Sequence, residues 1–256
     1  MIKRFFNWCV DQHVYGLDHS PCDRLIRAKI IGEPQSRSRR LTDMELAAFW
    51  RATGRIKYPI GPAYRMLLLT GLRLNECAKV SWPEVQGDDV IIIPASRMKG
   101  KNGKAREHMV PLSSAAKDII ASLPRFNGGP YLFSFKNGRL PVALASPNKR
   151  DLDRRMLRTL KAMARRRGED HRAVTLPNWT IHDLRRVVRS GLSKLRVPHE
   201  VKEAVLAHRQ GGVVGVYDVH QYEDEKREAL ELWAQHVASI VNPVPAQVIK
   251  LPRRHR

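Results

Sequence analysis

Residues 89–112 read DVIIIPASRMKGKNGKAREHMVPL, and they break an otherwise helical pattern. Asp89–Pro94 is β-branched and apolar, the composition of a strand. Glu107–Leu112 alternates well enough to be its antiparallel partner. The loop between them, Ala95–Arg106, holds glycines and is heavily basic. On both sides the apolar period is that of helices. Thr42 and Glu45 form a capping box, with Leu41 placed to staple on Leu46. The helix behind it buries Leu46, Phe49 and Trp50. Pro62 opens a helix that runs through Ala63 to Thr70, Gly71 breaks it, and a short helix follows around Leu74–Lys79. Further helices are predicted over 113–123, 148–167, 181–195, 198–208 and 223–241. The fold class is therefore mainly α with one small antiparallel β-sheet, an α+β arrangement.

Outside this body the pattern changes. Residues 1 to about 24 read as one helix, with Ile2, Phe5, Phe6, Cys9 and Val10 on one face. Residues 32–40, GEPQSRSRR, are polar, basic and turn-rich, the signature of a linker. The expected division is a helix-bearing segment 1–31, a linker 32–40, a main domain 41–242 and a flexible basic tail 243–256.

Lys and Arg number 46 against 25 Asp and Glu, a formal net charge of +21. So large an excess points to a polyanionic partner, nucleic acid before membrane. Apolar residues at 43% are enough for a packed core and argue against general disorder. Cys9, Cys22 and Cys77 show no CxxC spacing, so neither a disulfide framework nor a zinc site is read, which fits a reducing cytoplasm. No apolar run approaches the ~18 residues of a membrane span. Carboxylates sit mostly singly among basic residues, whereas two-metal DNA-cutting sites need several that converge; no metal or other cofactor is expected. The cluster Glu223–Glu228 reads as a solvated helix start.

Three segments carry candidate chemistry. LLLTGLRLNE (67–76) places Arg73 and Glu76 just after a glycine break. WTIHDLRR (179–186) spaces His182 and Arg185 three apart on one helical face; Thr180 and Asp183 resemble a capping box, and a helix N-terminus favours an anion. VLAHRQGGVVGVYDVHQY (205–222) places Tyr217 nine residues after His208. Each alone is unspecific. An Arg near a Glu is more often a surface ion pair, and a tyrosine in a valine-rich run is more often a core aromatic. The ordered set is what is specific.

That set resembles the tyrosine recombinase family, in its phage-integrase branch. TGLRLNE resembles the first arginine box and HDLRR the His-x-x-Arg box. LAH resembles the family's Leu-Gly-His, with Ala207 where glycine is usual. RMKGKNGKAREHMVPLS resembles the family's β-hairpin, which carries a catalytic lysine before a Val-Pro-Leu strand. The resemblance spans about Arg39 to Val241. It implies a tyrosine recombinase-like catalytic domain: a site-specific DNA recombinase or integrase that cleaves and rejoins strands through a 3′-phosphotyrosyl intermediate without metal. Residues 1–31 would be a remnant of the family's core-binding domain, so free-standing recombination at physiological salt would be weak.

By the same resemblance, Arg73, Lys99, His182, Arg185, His208 and Tyr217 are the catalytic set, with Tyr217 the nucleophile and Glu76 a supporting residue. Lys101 and Lys104 share the loop with Lys99, and Tyr222 lies 14 residues after His208. Planar, permanently charged arginine forks suit the non-bridging oxygens of a phosphodiester. Arg39, Arg40, Lys101, Lys104, Arg150, Arg154, Arg155, Arg158 and Arg186 are expected to contact DNA. The expected partners are double-stranded DNA at attachment sites and further copies of the chain, up to a tetrameric synapse, in the cytoplasm of a bacterium. Two other readings use the same features. A type IB topoisomerase-like enzyme would reseal the same strand, and a non-catalytic DNA-binding protein would use the two helices at 181–195 and 198–208 as a helix-turn-helix. Leu230, Trp233, Val237 and Ile240 share a face of the last helix that packs either on its own domain or on a neighbouring copy.

Overall fold

The structure is a computed structural model that describes residues 2–25, 39–98, 106–144, 146–208 and 222–243. Their contacts divide the chain into two units, Met1–Arg39 and Arg40–Arg256.

In the first unit, helix α1 covers only Ile2–Gln12, half the expected length. The chain turns at His13 and Gly16, both at positive φ (57° and 63°), a conformation a right-handed helix does not admit. The apolar spacing that was read, from Ile2 to Val10, lies within the helix that forms. Phe5 stacks with Trp8, and Trp8 reaches Tyr15, at centroid distances of 6.4 and 5.7 Å.

The second unit opens with α2, Asp43–Gly54. Its capping box forms as read: Glu45 Oε2 accepts from the Thr42 N–H at 2.8 Å, and Thr42 Oγ1 accepts from the Glu45 N–H at 3.2 Å. Helix α3, Ile60–Thr70, starts two residues before Pro62. Pro62 then lies in the first turn, where its missing N–H has no intrahelical partner to lose. Met66, Leu67, Leu68 and Leu69 are all buried, which makes α3 the central helix. Helix α4 is a short piece, Leu74–Ala78.

The sheet has three antiparallel strands in the order β1 (Val85–Gln86), β2 (Val90–Ile93) and β3 (His108–Pro111). Sequence reading missed β1, because two residues are too few for alternation to show. The β2–β3 register pairs Val90 with Pro111 and Ile93 with His108. Ile91, Ile93, Val110 and His108 are consequently buried.

The remaining helices are α5 (Ser114–Ala121), α6 (Ser146–Arg166), α7 (Ile181–Lys194), α8 (His199–Val205) and α9 (Glu223–Val241). Helix α2 packs along α6 and against α9, and α3 packs on α7. Trp179 is buried edge-on against Phe49, 6.1 Å between centroids, and so fixes where α7 begins. The last helix packs on its own domain. Trp233 is buried and donates from Nε1 to the Leu68 carbonyl at 2.8 Å. A Cβ on Gly191 would lie 2.1 Å from the Trp233 ring, so that glycine is what admits the indole to α7. The start of α9 corrects the solvated reading of 223–228: Lys226 is buried and donates to the Met109 carbonyl at 3.0 Å, while its neighbours are exposed. Among the described residues, no helix is long and apolar enough to cross a membrane.

Candidate active site

The site is built around Gly71. This residue ends α3 at φ 66°, in the left-handed region that glycine enters without strain. A Cβ there would meet Leu206 Cδ2 at 2.9 Å and Val188 Cγ1 at 3.2 Å. The glycine break therefore lets three segments close on one another: the loop before α4, helix α7, and the end of α8.

Arg185 locks that junction. It is 4% exposed. Its Nη1 donates to the Gly71 carbonyl at 2.6 Å, and its Nη2 donates to the Leu206 carbonyl. Burial, then repulsion by Arg73, lowers its pKa to about 10, so it stays charged at neutral pH.

Arg73 occupies the N-cap of α4. Glu76 accepts from its backbone N–H at 2.9 Å and from its Nη1 at 2.6 Å. The Arg73 side chain keeps 30% of its surface, against 6% for Glu76. The carboxylate thus holds the guanidinium from behind and leaves it partly open. The same device recurs at α7, where Asp183 accepts from the Thr180 N–H at 2.8 Å and from its hydroxyl at 3.0 Å. Asp183 also pairs with Arg186 at 3.3 Å.

His182, on the first turn of α7, is exposed. Its pKa is lowered, first by burial of part of the ring and then by Arg185 and Arg186; Asp183 opposes and Arg73 adds to the shift. His208 follows α8. Its Nδ1 lies 2.8 Å from Glu203 Oε2. Burial lowers its pKa, the Glu203 bond works against that, and Arg185 and Arg73 lower it further. Arg73 and Arg185 thus act electrostatically on both histidines, which gathers these four predicted residues at one locus.

A third histidine belongs there and was not singled out by sequence. His108 on β3 is 5% exposed, and its Nε2 has no hydrogen-bond partner. Burial, then Lys226, Arg185 and Arg73, drive its pKa down to about 3, against a bond to the Val205 backbone. The available signal was strand alternation, which places residue 108 on the same face as Val110. Glu203 and Arg189 were also missed. Glu203 is nearly buried and takes Arg189 at 2.8 Å as well as His208.

Ala207, where the resembling motif has glycine, stands at φ 46°, which is the physical reason glycine suits that position. Lys99, Lys101, Lys104 and Tyr217 lie outside the described residues. On α6, Arg150, Arg154 and Arg158 are exposed, while Arg155 is half-buried and donates to Asp151 at 2.7 Å. Arg40 is exposed, and Arg39 and Arg186 are half-buried.

Residues 39–224 match the Phage integrase family, and the chain belongs to that family. It is 26% identical over 176 residues to the integrase of Shigella phage Sf6, an alignment covering 67% of this chain and 40% of that protein. It is 29% identical over 173 residues to prophage integrase IntA of Escherichia coli (strain K12), covering 66% and 37%. The chain thus spans about two fifths of the length of these curated relatives. Among solved structures it resembles a lambda integrase dimer bound to a COC′ core site (TM-score 0.52, 15% identity, 82% of this chain and 69% of that one). It also resembles the integrase from mycobacterium phage Brujita (TM-score 0.50, 15% identity, 97% and 71%). These two likenesses establish the fold of a tyrosine recombinase catalytic domain.

Proposed function

We propose that this chain is a site-specific DNA recombinase, with residues 41–242 as its catalytic domain. One observation carries the reading. Arg185 joins the TGLR loop to the Leu-Ala-His turn, which assembles Arg73, His182 and His208 around one locus rich in positive charge.

In this reading Arg73 and Arg185 hold the non-bridging oxygens of the scissile phosphate and offset the charge that builds as phosphorus becomes five-coordinate. His208 donates a further hydrogen bond. The Tyr217 hydroxyl gives its proton to His182, whose lowered pKa leaves the ring neutral and able to accept near pH 7. The tyrosine oxygen then bonds to phosphorus, and the bond from phosphorus to the 5′-oxygen breaks. Lys99, on the loop it shares with Lys101 and Lys104, supplies the proton that the departing oxygen takes up. A 5′-hydroxyl from another duplex reverses the step, so strands are exchanged without hydrolysis. Arg40, Arg150, Arg154, Arg158 and Arg186 lie along the flanking phosphates. Lambda integrase, which shares the fold, has been captured as a tetramer on a Holliday junction. By analogy this chain assembles on its DNA in the same way, in the cytoplasm where that DNA lies.

The test uses a pool of nicked duplexes with a randomised core, incubated with the full chain. Wild type forms a covalent protein–DNA adduct that survives denaturation, and sequencing the recovered DNA gives the site. Tyr217→Phe binds the pool but forms no adduct. An adduct that persists in that variant moves the nucleophile from Tyr217 to another residue such as Tyr222, and binding with no adduct from wild type refutes the recombinase reading. Supercoil relaxation without exchange between duplexes would place the chain with topoisomerase-like enzymes.

A further inference from the structure

Glu203 precedes the LAH segment (206–208) and holds His208 twice. The His208 backbone N–H donates to the Glu203 carbonyl at 2.9 Å, and His208 Nδ1 meets Glu203 Oε2 at 2.8 Å. The other carboxylate oxygen, Oε1, accepts from Arg189 Nε at 2.8 Å and Nη2 at 2.7 Å. Burial raises the Glu203 pKa, but the bonds from His208 and Arg189 outweigh it and the net shift is downward. The group is therefore ionised at neutral pH and can only accept.

The consequence for the imidazole is definite. A carboxylate at Nδ1 requires Nδ1 to carry the proton. In the neutral ring Nε2 is then a bare lone pair. A DNA phosphodiester offers only acceptor oxygens, so Nε2 can bond to it only when the ring is an imidazolium.

We infer that Glu203 is a positioning residue that fixes the His208 tautomer, so that His208 engages phosphate by taking up a proton. The inference rests on the recombinase reading for the role of His208, but not for the pairing itself. The charged groups that act on His208 are Glu203 on α8, Arg185 on α7 and Arg73 at the start of α4; Arg189 on α7 pairs with the Glu203 carboxylate. On α9, Lys226 is engaged by the Met109 carbonyl. Burial, then Arg185 and Arg73, hold the free ring neutral near pH 7, and the arriving phosphate, with Glu203 behind the ring, favours the charged form. Adduct formation therefore declines as pH rises through the pKa of His208 in the DNA complex.

Glu203→Gln separates this role from simple support. Arg189 keeps an oxygen at the Oε1 position, which turns the amide nitrogen toward His208. Nδ1 then becomes the acceptor, and Nε2 carries a hydrogen in the neutral ring. The variant no longer needs an imidazolium.

Two measurements on the full chain test this. Nitrogen-15 NMR of labelled histidine reads the tautomer without DNA: Nδ1–H in wild type and Nε2–H in Glu203→Gln. The nicked-duplex pool gives the rate of adduct formation between about pH 5.5 and pH 8.5, a range that brackets an ordinary histidine pKa of about 6.5. Glu203→Ala is slowed about 10–100-fold at every pH, the size of loss that follows when the partner orienting a metal-ligating imidazole is removed. Glu203→Gln is slowed at the acid end but loses the alkaline decline tied to His208. Glu203→Asp restores the wild-type profile at a reduced rate. An Nε2–H tautomer in wild type, or a Gln variant that keeps the wild-type profile, overturns the inference. If wild type forms no adduct while the tautomer switches as described, the recombinase reading falls and the Glu203 pairing stands.

Discussion

The two arginine boxes use the same local device to opposite ends. In each, a carboxylate three residues along the helix start closes back on the first turn: Glu76 on Arg73, and Asp183 on Thr180. At α4 that carboxylate also grips the arginine itself, which keeps 30% of its side-chain surface. At α7 the carboxylate takes Arg186, and Arg185 turns inward to two backbone carbonyls at 4% exposure. One arginine is held out toward the site, and the other is part of the framework that makes the site. A guanidinium has five donors in a rigid plane, so Arg185 can satisfy both carbonyls and still present an N–H to a phosphate.

The sharpest way to break this contrast is to replace each arginine by methionine. Arg185→Met leaves the Gly71 and Leu206 carbonyls without their donors in a buried place, and should destabilise the fold by about 3 kcal/mol. Arg73→Met removes a half-open ion pair and should cost about 1 kcal/mol. Both variants should lose covalent adduct. Urea denaturation beside the nicked-duplex assay checks the pair; equal stability losses would show that Arg185 is no more structural than Arg73.

A second effect runs through pH. The His108 pKa is about 3 in the fold against an ordinary 6.5. The unfolded chain therefore binds the proton first. Stability from this group is complete above pH 6.5 and is lost as pH falls toward 3, by about 2 kcal/mol between pH 6.5 and pH 5. His182 and His208, also lowered, add in the same direction. Denaturation midpoints measured across that window should fall with acid. Arg185 outranks Arg73 in holding the His108 pKa down, so the acid loss should shrink more in Arg185→Met than in Arg73→Met. The reverse order would contradict the larger influence of Arg185 on that ring.

The smallest effect concerns the turn that presents the Leu206 carbonyl to Arg185. Ala207 sits at φ 46°, where a Cβ is strained. Ala207→Gly should raise stability by about 0.5 kcal/mol, the relief of strain less the greater freedom of glycine when unfolded. A loss on thermal melting would mean that the alanine methyl contributes packing that offsets its backbone strain.

Much of this was legible in the chain. The change from helical to strand period at Asp89 set the class, and Thr42 with Glu45 marked a helix start that the structure keeps. The order of Arg73, His182, Arg185 and His208 pointed to one site, because phosphate chemistry needs several fixed positive donors together. Other features were not legible. The helix read over residues 1 to about 24 stops at Gln12, because the backbone angles at His13 and Gly16 do not continue it. Lys226 lies in a run of charges that reads as solvated, yet it is buried because a β3 carbonyl needs a donor there.

The sequence by itself determined the secondary-structure class, the capping signals and the identity of the charged groups, since these depend on neighbours within a turn or two of helix. Only the tertiary structure decided which carbonyls Arg185 would satisfy, that His108 would be buried beside the arginines, and that Glu203 would hold His208 and fix its tautomer. The first two are set by segments far apart in the chain. The third also needs Arg189 from a different helix. The protonation of each group follows from burial and from charges that sequence distance does not measure.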